Sequence, residues 1–176
     1  MVRPKTPLIL ISNVFGSNIS GNISRFQGSI DGFVTGSQAM TAGGTGAIHT
    51  ICPIEVHLQG KKALTESTGS ISIRFEHLGN TYDCVSFTRF ISRVECIDGE
   101  WKLLTLEAIY DRDSITPVTP CTPVDFHLRK NSRESYKCIE WVLSQKGFKV
   151  KLDLPGVDDH IAVSKLMEEG FHWLHT

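Results

Sequence analysis

From Ala47 onward the chain alternates apolar and polar positions in long runs separated by tight-turn signals; before Ala47 it does not. Residues 48–58 alternate loosely, and Pro53 predicts a bulge or an edge position there, because proline has no N–H for a sheet ladder. Gln59-Gly60-Lys61 predicts a turn. Residues 63–77 place Ala63, Ile71, Ile73 and Phe75 on one parity, the mark of a strand. Gly79-Asn80 is a hairpin signal, and residues 81–97 form a third strand rich in Val, Phe, Thr and Ile. Asp98-Gly99 is the strongest hairpin signal in the chain, of the kind that favours a type I′ turn. The last strand is predicted over 100–111. Four strands with short turns make an antiparallel meander. Strands of this length must twist and bend.

The two ends read differently. Residues 1–20 carry no helical period, and 23–27 predict a short strand ending at Gly28. Residues 32–41 predict a short helix around Phe33, Gln38, Ala39 and Met40, broken at Gly43-Gly44. The stretch Thr41–Gly46 lacks the Gly-Lys-Ser/Thr ending of a phosphate loop, which argues against a nucleotide site. Pro117, Pro120 and Pro123 predict an extended connector over 114–125. Residues 132–146 read as a helix with Tyr136, Ile139, Trp141, Val142 and Leu143 on its apolar face and Gly147 just past its end. Residues 159–174 read as a second helix, N-capped by Asp158 or Asp159, with Val163, Leu166, Met167, Phe171 and Leu174 as its buried stripe. A sheet with an apolar face needs a cover, and these helices can supply one.

Composition narrows the reading. The 176 residues suit one domain, or one domain with an extension. With 18 Lys+Arg against 19 Asp+Glu, there is no electrostatic footprint for nucleic acid or for an anionic membrane. Only Arg3, Lys5, Arg25 and Asp31 are charged in the first 50 residues, which also hold 8 of the 15 glycines. Five cysteines, an odd number without a C-x-x-C pair, argue against a disulfide framework and a zinc site. They suit reduced thiols and a cytoplasmic location. The apolar run 7–11 is too short to span a membrane. The formal glycosylation acceptors at Asn18 and Asn22 carry little weight without a signal peptide.

Several segments together resemble a known family. They are Ala47-Ile48-His49-Thr50-Ile51, Gly60-Lys61-Lys62-Ala63, Ile97 to Leu104 around Asp98-Gly99-Glu100-Trp101-Lys102, Tyr110 to Val118, and Asp153-Leu154-Pro155-Gly156-Val157-Asp158 after Tyr136–Leu143. Over roughly 20–174 the chain resembles the SnoaL-like branch of the cone-shaped nuclear transport factor 2 superfamily. The resemblance implies an α+β fold: a strongly bent antiparallel sheet forming a cone around a pocket, with a C-terminal helical extension. It divides the chain into an irregular segment 1–20, a cone domain 21–118 and an extension 119–176. Members normally begin with two or three helices that close the cone, and this chain lacks a helical period where they belong.

The family includes polyketide cyclases, scytalone dehydratase-like enzymes and isomerases. The resemblance therefore implies cofactor-free, metal-free acid–base chemistry, of lyase or isomerase type, on a hydrophobic carbonyl or polyketide-like substrate. His49 matches a pocket histidine of the dehydratase-like members, and imidazole exchanges protons near neutral pH. Tyr110 would donate a hydrogen bond to a developing enolate. Phe26, Phe33, Ile51, Ile73, Phe90, Leu106 and Ala108 would line the pocket. The second family histidine has no counterpart in 63–76, and the helix-borne Asp and Tyr have none either. Asp111 and Asp113 flank Arg112 as rim carboxylates or as a solvated turn. Glu107 lies on the parity opposite Tyr110, and the facing of Glu55 and Glu66 stays open across Pro53. His172 and His175 are a weak metal pair without a third ligand. The alternative is a non-catalytic ligand-binding or dimerising protein of the same fold, or a truncated product. Expected partners are a hydrophobic small molecule and a second copy through the convex sheet face, with neither nucleic acid nor membrane.

Overall fold

The computed structural model describes residues 15–23, 26–28, 35 and 47–176. Six strands form one sheet: β1 (Phe15–Ile23), β2 (Phe26–Gly28), β3 (Ala47–Gln59), β4 (Lys62–His77), β5 (Asn80–Ile97) and β6 (Glu100–Pro117), in the order β2-β1-β6-β5-β4-β3. Strands β3 to β6 are the predicted antiparallel meander. Each hairpin turns where the backbone needs a left-handed residue. Asp98 and Gly99, at φ 52° and 81°, have the sign pattern of a type I′ turn. Leu78 and Gly79, at 49° and 77°, form the second, one residue before the expected Gly79-Asn80, and Gly60, at 58°, lies in the third, between β3 and β4. The predicted irregularity at Pro53 is present as a register shift between Pro53 and Glu55, on a strand at the edge of the sheet.

The sheet differs from the sequence reading at its last strand and at its front. β6 runs six residues past Asp111, because Arg112–Pro117 pair with Phe87–Tyr82. The prolines that predicted a connector from 114 start only at the strand's last position, where a missing N–H costs no ladder bond. At the front, Phe15–Ile23 is a strand where no period was visible. It pairs parallel with β6 (Gly21 opposite Leu106) and antiparallel with β2. Backbone pairing defines this strand, in a segment made mostly of Gly, Ser and Asn. The strand expected over 23–27 lies at Phe26–Gly28. The helix expected over 32–41 and the stretch Thr41–Gly46 lie, apart from Thr35, outside the described residues.

Helices α1 (Lys137–Gln145) and α2 (His160–His175) cover opposite faces of the sheet. On one face Ile73, Cys84, Ala108 and Tyr110 pack with Tyr136, Ile139, Val142, Leu143 and Leu154. On the other, Leu64, Ile91 and Ile109 pack with Leu174, flanked by Val163, Leu166, Met167 and Phe171. The two cores follow from period-2 alternation: Ala63 and Leu64 are neighbours, both buried, pointing to opposite faces. Gly170 lets α2 approach, since a Cβ there would sit 3.0 Å from Leu64 Cδ1.

α1 starts at Lys137, not near 132. Ser135 donates to Asp158 and Tyr136 donates through its hydroxyl to the Lys151 carbonyl, so this stretch is held as turns. Gly147 follows the helix at φ 82°. α2 begins as predicted: Asp159 accepts the Ala162 N–H at 3.0 Å.

Candidate functional site

Strand register sorts the candidate residues. Opposite partners across the meander share a face, which gives successive rows on the α1 side of the sheet. His49 lies in the row His49–Ile71–Ser86–Asp113. The next row is Ile51–Gly69–Thr88–Tyr110, and then Pro53–Ser67–Phe90–Ala108. Val56–Thr65–Ser92–Leu106 follows. Ile51, Phe90, Leu106, Ala108 and Tyr110 thus belong to one contiguous patch with His49 at its border. Ile73 lies on the other side of His49's row, fully buried under α1 with Cys84. For Phe26 only the strand position is described, opposite Ile23, and Phe33 lies outside the described residues.

The patch has a floor that the sequence reading missed. Thr65, Ser67, Thr88 and Ser92 place small hydroxyls between the apolar groups, and Gly69 leaves room for the Phe90 ring. A Cβ at Gly69 would sit 2.8 Å from Phe90 Cε2 and 2.9 Å from the Thr50 carbonyl. The run Thr65–Ser70 is polar on both parities, so alternation gave no signal of facing.

Charge is segregated by face. Among the described meander residues, the α1 face carries no Lys, Arg or Glu, and its carboxylate is Asp113. The opposite face carries the ion pairs. Arg74 meets Asp83 at 2.8 Å, and Arg89 meets Glu66 at 2.9 Å. Glu55 lies 3.4 Å from His57, also on that face. Glu107 faces the same way, in line with Ile91 and Glu66.

His49 is exposed on the edge strand β3. Tyr110 is 4% exposed, with its ring 5.1 Å from that of Tyr136. Its N–H donates to the Pro155 carbonyl at 2.9 Å, and its carbonyl accepts from Val157 at 2.8 Å. The C-terminal chain therefore continues the edge of β6 beyond β1. His49 and Tyr110 share a face but stand on strands separated by β4 and β5, about 14 Å apart at three inter-strand spacings.

The carboxylates at the exit of β6 part company. Asp111 lies 3.2 Å from the exposed Arg112, a local surface pair. Asp113 departs from the solvated turn expected of it: it points inward and accepts the Ile139 N–H at 2.7 Å. Burial pushes its carboxyl above the usual carboxylate range, against the pull of the donors on Ile139 and Cys138. The thiols beside it are also raised by burial, Cys138 to about 12 and Cys84 further. They are structural, not nucleophilic, sulfurs. His172 and His175 sit exposed in the last turn of α2, and no group of three or more potential metal ligands occurs among the described residues. Among the described residues, no helix is long and apolar enough to cross a membrane.

No family model matches the chain. It is 30% identical over 124 residues to Pea pathogenicity protein 2 of Fusarium vanettenii, covering 68% of this chain and 53% of that one. It is 27% identical over 139 residues to a PEP2-like protein of the same organism, covering 76% and 60%. The chain thus spans little more than half the length of these relatives. Among solved structures, it resembles a Novosphingobium aromaticivorans protein named as a scytalone dehydratase. The TM-score is 0.51 at 16% identity, over 66% of this chain and 79% of that one. At that identity the likeness is one of fold: an antiparallel sheet with helices packed on it.

Proposed function

We propose that the α1 face of the meander takes a hydrophobic, carbonyl-bearing small molecule and that His49 moves a proton on it. The observation that carries this reading is the segregation of charge. A face stripped of Lys, Arg and Glu suits an uncharged aromatic or polyketide-like ligand, with Ile51, Phe90, Leu106 and Ala108 as apolar contacts and the Ser/Thr floor as hydrogen-bond partners. His49 borders that patch with an imidazole, which titrates near neutrality in ordinary surroundings. His49 and Tyr110 share this face about 14 Å apart at the backbone, and in this reading a bicyclic ligand spans the distance between them. In the step proposed, His49 takes the proton from the carbon next to the carbonyl. The Tyr110 hydroxyl hydrogen-bonds the enolate oxygen, and the proton returns to carbon or to a leaving hydroxyl.

A second reading has its own support. Tyr110 is buried against Tyr136, as befits a core residue, and that favours binding without turnover. One experiment separates the two. The protein is mixed with α-tetralone, an enolisable bicyclic ketone, in deuterated buffer, and α-proton exchange is followed by NMR. Catalysis predicts exchange above the buffer rate that falls about 100-fold in His49→Ala, within the range for loss of a general base. Saturable binding with exchange at the buffer rate supports the binding protein. Exchange unchanged in His49→Ala rules out the role given to His49.

A further inference from the structure

Between β6 and α1, residues 119–131 form neither strand nor helix. Both ends of this connector are pinned. The Val118 N–H donates to the Thr81 carbonyl at 2.9 Å, and the Arg133 guanidinium donates to the Leu152 carbonyl and to Asp158. Between the pins, among the described residues, no backbone hydrogen bond ties 119–131 to the sheet or to α1. Pro120 and Pro123 have no N–H to give. Side chains hold the stretch down. Val124, Phe126 and Leu128 are half-buried, and Asp125, His127 and Arg129 between and beyond them are exposed.

Phe126 is the anchor. Its ring lies 5.0 Å from that of Trp141 on α1, 5.1 Å from Tyr82, 5.4 Å from His77 and 6.4 Å from Phe75. Phe75 and Tyr82 are cross-strand partners on the α1 face, and the row Ile73–Cys84, buried under α1, separates this slot from the row of His49. Arg129 is the latch. From its exposed position it reaches Glu140 Oε1 at 3.2 Å, whereas Glu140 is 2% exposed and its Oε2 has no partner among the described residues. A buried carboxylate that loses its counter-ion is costly, so the pair resists opening. Beside the anchor, His127 holds φ 49°, a left-handed conformation uncommon outside glycine, and donates its N–H to the Asp125 carboxylate at 2.7 Å.

We infer that 119–131 is a strap that opens as a unit over this aromatic slot while the sheet and α1 stay folded. Opening withdraws one ring, parts one ion pair and ends the 3.7 Å contact of Cys121 Sγ with the Tyr82 hydroxyl, with no ladder to unzip. Segments held by so few contacts open at lower free energy than the strands beneath them. The open strap bares Phe75, His77, Tyr82 and Trp141, and the closed one fills their slot with the chain's own phenyl ring.

The test is trypsin digestion of the full chain in rising urea below its unfolding midpoint, with cleavage after Arg129 and Lys130 read by mass spectrometry. The cleavage rate is expected to depend on urea far less steeply than global unfolding does, because a local opening exposes little surface. Phe126→Ala should speed it about 100-fold through loss of the buried ring. Glu140→Gln should speed it about 10-fold, as a charge-assisted bond becomes a neutral one. Leu174→Ala, in the core on the other face of the sheet, should lower the urea midpoint and leave the cleavage rate unchanged. Cleavage as steep in urea as global unfolding, cleavage that rises in Leu174→Ala as the midpoint falls, or no cleavage at these two sites would overturn the inference. So would a rate indifferent to both Phe126→Ala and Glu140→Gln.

Discussion

Asp113 accepts the backbone N–H of Ile139 at 2.7 Å, and so closes the first turn of α1 from a strand 26 residues earlier in the chain. The helix needs it. Tyr136, at the N-cap position, offers no side-chain acceptor, and the first N–H groups of a helix have no partner within it. The arrangement is costly as well as useful. Asp113 Oδ1 is buried without a hydrogen-bond partner among the described residues, and so is Oγ of Ser86, its cross-strand neighbour.

Asp113→Asn is therefore expected to stabilise the protein at neutral pH. An amide keeps the Ile139 bond through its oxygen and turns its NH₂ toward Ser86 Oγ, a gain of about 1 kcal/mol. The pH dependence carries the signature. A carboxyl whose folded pKa is raised binds its proton more tightly in the folded state. Wild type thus loses stability as pH rises from the unfolded value near 3.9 through the folded one. The melting-temperature advantage of the Asn variant should widen from pH 4 to pH 7. An advantage that narrows would mean that negative charge at the helix N-terminus outweighs burial. Asp113→Ala, which removes the cap altogether, should cost about 1 kcal/mol.

Asp158 titrates in the opposite sense. Arg133 holds it at 2.6 and 3.0 Å, Ser135 donates to it at 2.8 Å, and its carboxyl is pulled down to about 2, chiefly by the arginine. A lowered folded pKa means stability that is fully present above about pH 4 and lost as pH falls toward 2. In Asp158→Asn this acid-dependent part of the melting curve should disappear, with the variant already destabilised at pH 6. A carboxyl resonance of Asp158 titrating near 4 in the folded protein would contradict the pairing.

How far the sequence revealed this molecule depends on whether a signal was local. Asp98-Gly99 needs only two residues to turn a hairpin, and Asp159 needs only the N–H three positions on, so both were legible. The stripe of α2 was legible because its partners repeat every three or four residues. The role of Asp113 was not, because its helix lies across the core and the Asp-Arg-Asp run reads as a surface turn. β1 was not, because its ladder to β6 uses backbone that Gly, Ser and Asn supply as well as any residue. At the candidate site, His49, Ile51 and Tyr110 were marked by resemblance. The Ser/Thr floor between them went unseen because Thr65–Ser70 is polar on both parities and only register with β3 and β5 assigns its faces.

Gly156 marks a position where the C-terminal chain must come close. It bridges to Tyr110 in parallel register, and a Cβ there would fall inside contact distance of Ser135 Oγ and 2.6 Å from Asp158 Oδ1. Both atoms belong to the Arg133 network, so neither can move without breaking a hydrogen bond. Gly156→Ala should cost about 1–3 kcal/mol by overpacking. Ser135→Ala in the same chain should recover part of the loss, because it removes the nearer obstacle. Denaturant midpoints of the single and double variants measure the coupling, and strictly additive losses would show that the crowding lies elsewhere.

Tyr110→Phe tests whether the hydroxyl of a buried tyrosine serves the ligand or only the core. The ring is fixed between β6 and Tyr136, and phenylalanine fills the same space, so the fold should survive with a loss of about 1 kcal/mol or less. If the hydroxyl stabilises an enolate, α-proton exchange should fall about 10- to 100-fold while ligand affinity changes little, since that bond strengthens only as charge develops. Binding and exchange falling together would assign Tyr110 to positioning of the ligand. If both stay unchanged while thermal stability drops, the residue is purely a core element, and His49 must act without a partner on β6. The His49→Ala, Tyr110→Phe double variant completes the cycle. Two groups working on one transition state should lose less together than the sum of their separate losses, because once the base is gone there is little enolate left to stabilise.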